Sequence, residues 1–135
     1  MTGIDWKDEL SVGIDEIDEQ HKRLTLIINR MGEAMADGRS EELIGSIIDE
    51  LVAYADTHFA TEEKYFVKYG YPKAAEHEAE HAAFDKQIKE YQKAYARGEI
   101  SSCSEVLQYL IGWFTTHLKG ADHEYAVYFR EHGKL

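Results

Sequence analysis

Cysteine and proline occur once each in this 135-residue chain, as Cys103 and Pro72, and basic residues are outnumbered 26 to 15 by acidic ones. Each shortage excludes something. A single cysteine cannot close an intrachain disulfide or build a thiolate metal site, so any metal must be held by histidine and carboxylate. A formal charge of -11 repels nucleic-acid phosphates and anionic lipid alike, and neither partner is expected. No run approaches the roughly 18 apolar residues of a membrane span. The opening stretch Met1-Thr2-Gly3-Ile4-Asp5-Trp6-Lys7-Asp8-Glu9 carries charge where a secretory leader would be apolar, so a cytoplasmic location is expected. The hydrophobic share of 44% at this length suits a single domain over residues 1–135 with its own core.

With so little proline and no low-complexity tract or internal repeat, the few breakers stand out. They divide the chain into helical pieces after an irregular N-terminal arm over residues 1–15. A first helix is expected from about Asp18 to Ala36, stopped by Asp37-Gly38. Ser40 is expected to cap a second, which runs until Gly70-Tyr71-Pro72. A third spans about Lys73 to Arg97-Gly98. Ser102-Cys103-Ser104-Glu105 has the form of a capping box for a fourth, which Lys119-Gly120 should end, leaving a short C-terminal helix from about His123 to Arg130. The short connections imply an all-α fold, an antiparallel up-down four-helix bundle.

Inward positions of a bundle recur at alternating steps of three and four residues. Along the second helix that series is Ile44, Ile48, Leu51, Ala55, His58, Glu62, apolar until its last two members. The third reads His77, His81, Phe84, Ile88, Tyr91, Tyr95, with the polar pair at its start. The first reads Ile17, His21, Leu24, Ile28, Met31, Met35, and the fourth Cys103, Leu107, Leu110, Phe114, His117. Neighbouring helices run in opposite directions, so the starts of the first and third meet the ends of the second and fourth. Five of the seven histidines therefore converge at one end of an otherwise apolar interior. Burying such groups unpaired costs a few kcal/mol each, against the ~5–15 kcal/mol that holds a domain together. A shared metal site removes that cost, since imidazole and carboxylate are good ligands. Outside the seams, His123 and His132 read as solvent-exposed tail residues, and Glu41, Glu42, Glu76 and Glu90 as a solvated face. Cys103 reads as small packing.

The seam donors are His21, His58, Glu62, His77, His81 and His117. Asp122 follows His117 by five residues, which rotates a straight helix by about 140° rather than returning to the same face. It can join only if the chain turns at Lys119-Gly120, which glycine permits. Seven donors exceed the four that zinc prefers. Two six-coordinate ions need twelve ligand positions: five imidazoles, two bridging carboxylates and one bridging oxo or hydroxo group fill eleven. One position stays open. An octahedral nitrogen and oxygen set suits iron, and a vacancy on a redox-active pair is a place for dioxygen. His77-Glu78-Ala79-Glu80-His81 also matches the H-E-x-x-H pattern of zinc proteases. Glu78, however, lies roughly 100° from His77 on the helical wheel, and the third histidine of the extended pattern would fall on Gln87. The match is incidental.

Over essentially its whole length the chain resembles the bacteriohemerythrins, the bacterial branch of the hemerythrin-like non-haem di-iron oxygen-binding family. The likeness rests on Trp6, on IDEQHKRL around His21, on HFATEEKYF from His58, on GYP followed by HEAEH at His77 and His81, and on WFTTHLKGAD ending at Asp122. It implies a coordinatively filled iron on His77, His81 and His117. His21 and His58 would bind the iron with the open position, and Glu62 and Asp122 would bridge. The implied function is reversible dioxygen binding by a monomer, for oxygen storage, transport or delivery. Leu24, Trp113 and Phe114 would form the apolar wall of the oxygen pocket, with Phe114 at a position that looks aliphatic in many relatives.

Physical reasoning fits that role. Oxygen-activating di-iron bundles typically present four carboxylates and two histidines, whereas five neutral imidazoles and two carboxylates stabilise the ferric state less. Release of intact oxygen is then favoured over O–O cleavage, and no catalytic turnover is expected. Two other classes stay open at this point: an oxygen or redox sensing module, and a di-iron enzyme such as a peroxidase or nitric oxide reductase.

Overall fold

The computed structural model describes residues 6–100 and 103–134. After a short 3-10 turn at Asp8–Leu10, the chain forms α1 (Asp15–Ala36), α2 (Ser40–Tyr69), α3 (Ala74–Ala96) and α4 (Ser104–Trp113). A π-helical segment, Phe114–Asp122, and α5 (His123–Glu131) follow without interruption. α1 packs on α2 and α4, and α2 on α3, as an up-down bundle requires. Among the described residues no helix is long and apolar enough to cross a membrane.

Helix ends show where local chemistry agrees with expectation and where it does not. Gly70 ends α2 at φ 63, ψ 44, which leaves the amide of Tyr71 to bond the carbonyl of Phe66 at 3.0 Å before Pro72. That left-handed turn is the glycine stop expected there. α1 begins three residues earlier than Asp18, because Asp15, Glu16 and Asp18 all sit in its first turn against the helix dipole. Asp18 instead ties down the arm, accepting from the amide of Val12 at 2.8 Å and the hydroxyl of Ser11 at 2.5 Å. Ser40 does not cap α2. It is the first helical residue, and its Oγ accepts from the amide of Cys103 at 2.5 Å, so the hydroxyl serves the start of α4. Ser102 of the expected capping box lies outside the described residues.

The buried seams follow the expected series with three slips. Met35 and Tyr95, the last members on α1 and α3, are 39% and 40% exposed, while Ala34 is buried. A strict three-four repeat drifts about 20° per heptad on a straight helix, so a seam extrapolated over five turns leaves the core at its end. Likewise Val106 is buried on α4 where Leu107 is only half-buried. The main apolar cluster runs through Ile27, Ile44, Ile48, Leu51, Ile88 and Leu110. A second cluster, built on Ile17, Phe66, Tyr71, Tyr125 and Phe129, closes the opposite end beyond the histidines.

A larger difference concerns the fourth helix. It does not stop at Lys119-Gly120; it widens into a π-helix that carries the chain into α5.

Candidate metal centre

His21 comes from α1, His58 and Glu62 from the end of α2, His77 and His81 from the start of α3, and His117 and Asp122 from the π-helical segment. None of the seven exposes more than 3% of its surface. The widened helix explains how Asp122 joins them. Its hydrogen bonds run from i to i+5, so residues five apart return to one face, and His117 and Asp122 are five apart. The turn expected at Gly120 is therefore replaced by a change of helical pitch. His117 Nε2 lies 3.0 Å from Asp122 Oδ1.

The donors fall into two overlapping groups. Glu62, His77, His81, His117 and Asp122 form one, and His21, His58, Glu62 and Asp122 the other. Both carboxylates belong to both. Asp122 turns Oδ1 toward His77 Nε2 at 2.8 Å and Oδ2 toward His21 Nε2 at 3.1 Å, one oxygen to each group. Glu62 Oε1 lies 2.8 Å from His81 Nε2 and 3.4 Å from His58 Nε2, while Oε2 accepts a 2.6 Å hydrogen bond from the Tyr125 hydroxyl.

These close approaches are not ordinary pairings. Glu62 Oε1, Asp122 Oδ1 and the Nε2 atoms of His77, His81 and His117 are buried with no hydrogen-bond partner, although nitrogen and oxygen come within about 3 Å. The distances are right for contact and the directions are wrong for N–H···O bonds. Adjacent ligands each about 2.1 Å from one octahedral ion would themselves stand about 3 Å apart. An ion at the centre of the larger group satisfies all five of these orphaned atoms, and with the smaller group built on the same two carboxylates the residues fit a pair of metal ions. Seven donors around two centres also exceed a single tetrahedral zinc site.

Three of the outer nitrogens are anchored. His58 Nδ1 donates to Gln20 Oε1 at 2.7 Å, and Gln20 Nε2 donates to Thr61 Oγ1 at 3.0 Å, which sets the amide's orientation. His81 Nδ1 meets Glu63 Oε2 at 3.1 Å, and His117 Nδ1 meets Glu80 Oε1 at 3.3 Å. A proton on each Nδ1 leaves Nε2 as a lone pair aimed inward. Ring stacking holds the same imidazoles flat: Phe59 on His81 at 3.9 Å, Trp113 on His117 at 4.0 Å and Tyr54 on His58 at 5.2 Å between centroids.

Without an ion, the centre recruits protons. Burial pushes Glu62 up and Asp122 adds to that, yet the surrounding imidazoles outweigh both and hold its carboxyl at about 2. Burial would lower His77, but Asp122 and Glu62 overcome it and lift the ring to about 10. His58 is pushed by burial down to about 4. Two buried carboxylates thus demand positive charge, which metal cations supply more fully than imidazolium.

The family model of the hemerythrin HHE cation binding domain matches residues 12–128. The chain belongs to that family. A bacteriohemerythrin of Stenotrophomonas maltophilia (strain R551-3) is 36% identical over 127 residues, covering 94% of this chain and 82% of the relative. One from Clostridium acetobutylicum is 33% identical over 124 residues, with 89% and 96% covered. The crystal structure of wild-type hemerythrin matches with a TM-score of 0.82 at 27% identity, over 91% of this chain and 95% of that one.

Within this hemerythrin domain the three pocket residues take different places. Leu24 and Phe114 are buried in the main apolar cluster, whereas half-buried Trp113 lies along His117, beside the three-histidine group. His132 is exposed, as expected, and stacks on Tyr128. Sequence reasoning missed Gln20, Glu63, Glu80 and Tyr125. The first three each adjoin a seam donor in sequence, and one step along a helix turns a side chain about 100°, onto the flank of that donor. Such adjacency was the available signal.

Proposed function

We propose that the chain binds dioxygen reversibly at two irons, one held by His77, His81 and His117 and the other by His21 and His58, with Glu62 and Asp122 shared. What supports this reading is the pair of overlapping donor groups, one with three imidazoles and one with two. The smaller group leaves one octahedral position to an exogenous ligand. The iron pair supplies two exchangeable electrons and that vacant position. The protein's own residues do the rest. Gln20, Glu63 and Glu80 orient the imidazoles, and Leu24 and Phe114 present apolar surface that keeps water and protons from the site. Buried Tyr125 steadies Glu62 through its hydrogen bond. The predominance of neutral imidazole over carboxylate favours return of both electrons with intact oxygen, so the protein stores, carries or delivers the gas and does not turn it over.

The test is optical and analytical. Iron-loaded protein should contain two ions per chain. Reduced without oxygen and then opened to air, it should develop a ligand-to-metal charge-transfer band that bleaches on deoxygenation. A single ion per chain, or a spectrum that ignores air, overturns the proposal. Turnover of hydrogen peroxide or nitric oxide above that of free iron removes its non-catalytic part.

A further inference from the structure

The two donor groups differ in what stands behind their imidazoles. In the three-histidine group, His81 is backed by the carboxylate of Glu63 at 3.1 Å and His117 by that of Glu80 at 3.3 Å. In the two-histidine group, His58 is backed by the neutral amide of Gln20 at 2.7 Å, whose orientation Thr61 secures, and His21 Nδ1 is buried with no partner at all. A carboxylate accepting the outer N–H of an imidazole raises the basicity of its inner nitrogen, and a neutral amide does so much less. A more basic ligand stabilises the ferric over the ferrous ion. The same group also holds the extra imidazole, so both shells act in one direction.

We propose that Glu63 and Glu80 are positioning residues that act through His81 and His117 to make the three-histidine iron the first to become ferric, leaving the last ferrous electron on the iron held by His21 and His58. The inference rests on the di-iron reading above. It assigns the two ions unequal roles: the first anchors charge, and the second, beside the vacant position, keeps an electron available to an incoming oxidising ligand. In the elementary step one electron passes from the diferrous pair to an outer-sphere oxidant such as ferricyanide, which becomes ferrocyanide. No bond is made or broken and no proton moves. The effect is graded, because the backing carboxylates are partly solvated, Glu63 at 37% and Glu80 at 48% side-chain exposure. Solvent screening keeps each contribution near tenfold in the oxidation equilibrium.

Spectroelectrochemical titration of the oxygen-free, iron-loaded protein resolves the two one-electron midpoints. Glu63→Gln and Glu80→Gln should each raise the lower midpoint about tenfold in equilibrium constant, ~59 mV, and leave the upper one nearly in place. Glu63→Asp and Glu80→Asp, which keep the charge, should fall between wild type and the amides. Gln20→Glu should lower the upper midpoint by a similar amount and bring the two together. If all three substitutions shift both midpoints equally, or shift neither, the proposal is overturned. Should a glutamate variant fail to retain two irons, Gln20→Glu decides by itself, because it leaves Glu63 and Glu80 intact. A wild-type spectrum indifferent to air would defeat oxygen binding and still leave the midpoints to be read; unmoved midpoints would defeat this assignment and leave oxygen binding standing.

Discussion

The two halves of the bundle interior occupy equivalent seam positions and are built on opposite principles. Toward one end, Ile28, Ile44, Ile48, Ile88 and Leu110 fill the seam with aliphatic surface that needs nothing but exclusion of water. Toward the other, His21, His58, Glu62, His77, His81 and His117, joined by Asp122 from the π-helical segment, fill it with polar groups, several of them without hydrogen-bond partners. One half contributes to folding in any condition, while the other depends on what it binds. A domain can carry such a polar half because the aliphatic half, together with the aromatic cluster around Tyr125 and Phe129, brackets it on both sides.

The widest separation between the halves should come from removing metal. Chelation of the iron-loaded protein should cost about 4 kcal/mol relative to a thousandfold excess of ion over its dissociation constant, roughly 12–20 °C in midpoint at this chain length. Thermal melts by circular dichroism check this, and unchanged melts would mean that the polar half is stable by itself. Next comes pH, acting on the metal-free chain alone. His77 is raised from 6.5 to about 10, so its contribution is complete below pH 6.5 and is lost as pH climbs toward 10. His58 is lowered from 6.5 to about 4, so it destabilises as pH falls through that interval, because the unfolded chain takes up the proton first. Stability of the metal-free protein should peak near pH 6.5, whereas the metal-loaded protein should show no loss toward pH 10.

A substitution in the aliphatic half should ignore metal. Leu110→Ala should destabilise by about 3 kcal/mol, equally with and without iron, and a large difference between the two states would show that the halves are coupled. The smallest effect belongs to the exposed rim. A Cβ at Gly45 would meet the Tyr95 ring at 2.7 Å, but that ring is 40% exposed and can swing outward. Gly45→Ala should therefore change the unfolding free energy read from urea titration by less than about 1 kcal/mol, since the helix-propensity gain offsets the displacement.

The polar half was more legible in the sequence than its own supports. Five histidines and a glutamate fell on apolar seams because the three-four spacing is a property of the helix itself, and mutual direction follows from short loops. The supports do not sit on a seam. Glu63, Glu80 and Gln20 lie one residue away from donors and look like ordinary solvated residues until a neighbouring helix brings an imidazole to them. Ser40 misled for a related reason: a hydroxyl before a helical run suits its own helix start, but here the start of α4 claims it. Met35 and Tyr95 show the limit of a regular repeat, which drifts off the buried face with length.

By itself, the sequence determined the all-α class, the four main helices and the convergence of five imidazoles and a carboxylate, because periodicity and breakers are local and the seam direction is set by helical pitch. The tertiary structure alone decided the route by which Asp122 arrives. A straight helix would carry it about 140° away from His117, and only a π-helical stretch spanning Phe114–Asp122, invisible to any spacing rule, returns the carboxylate to the centre. It also decided which imidazole stands against a charge and which against a neutral amide. Those contacts join residues 18 to 38 positions apart, and no repeat along a single helix encodes them.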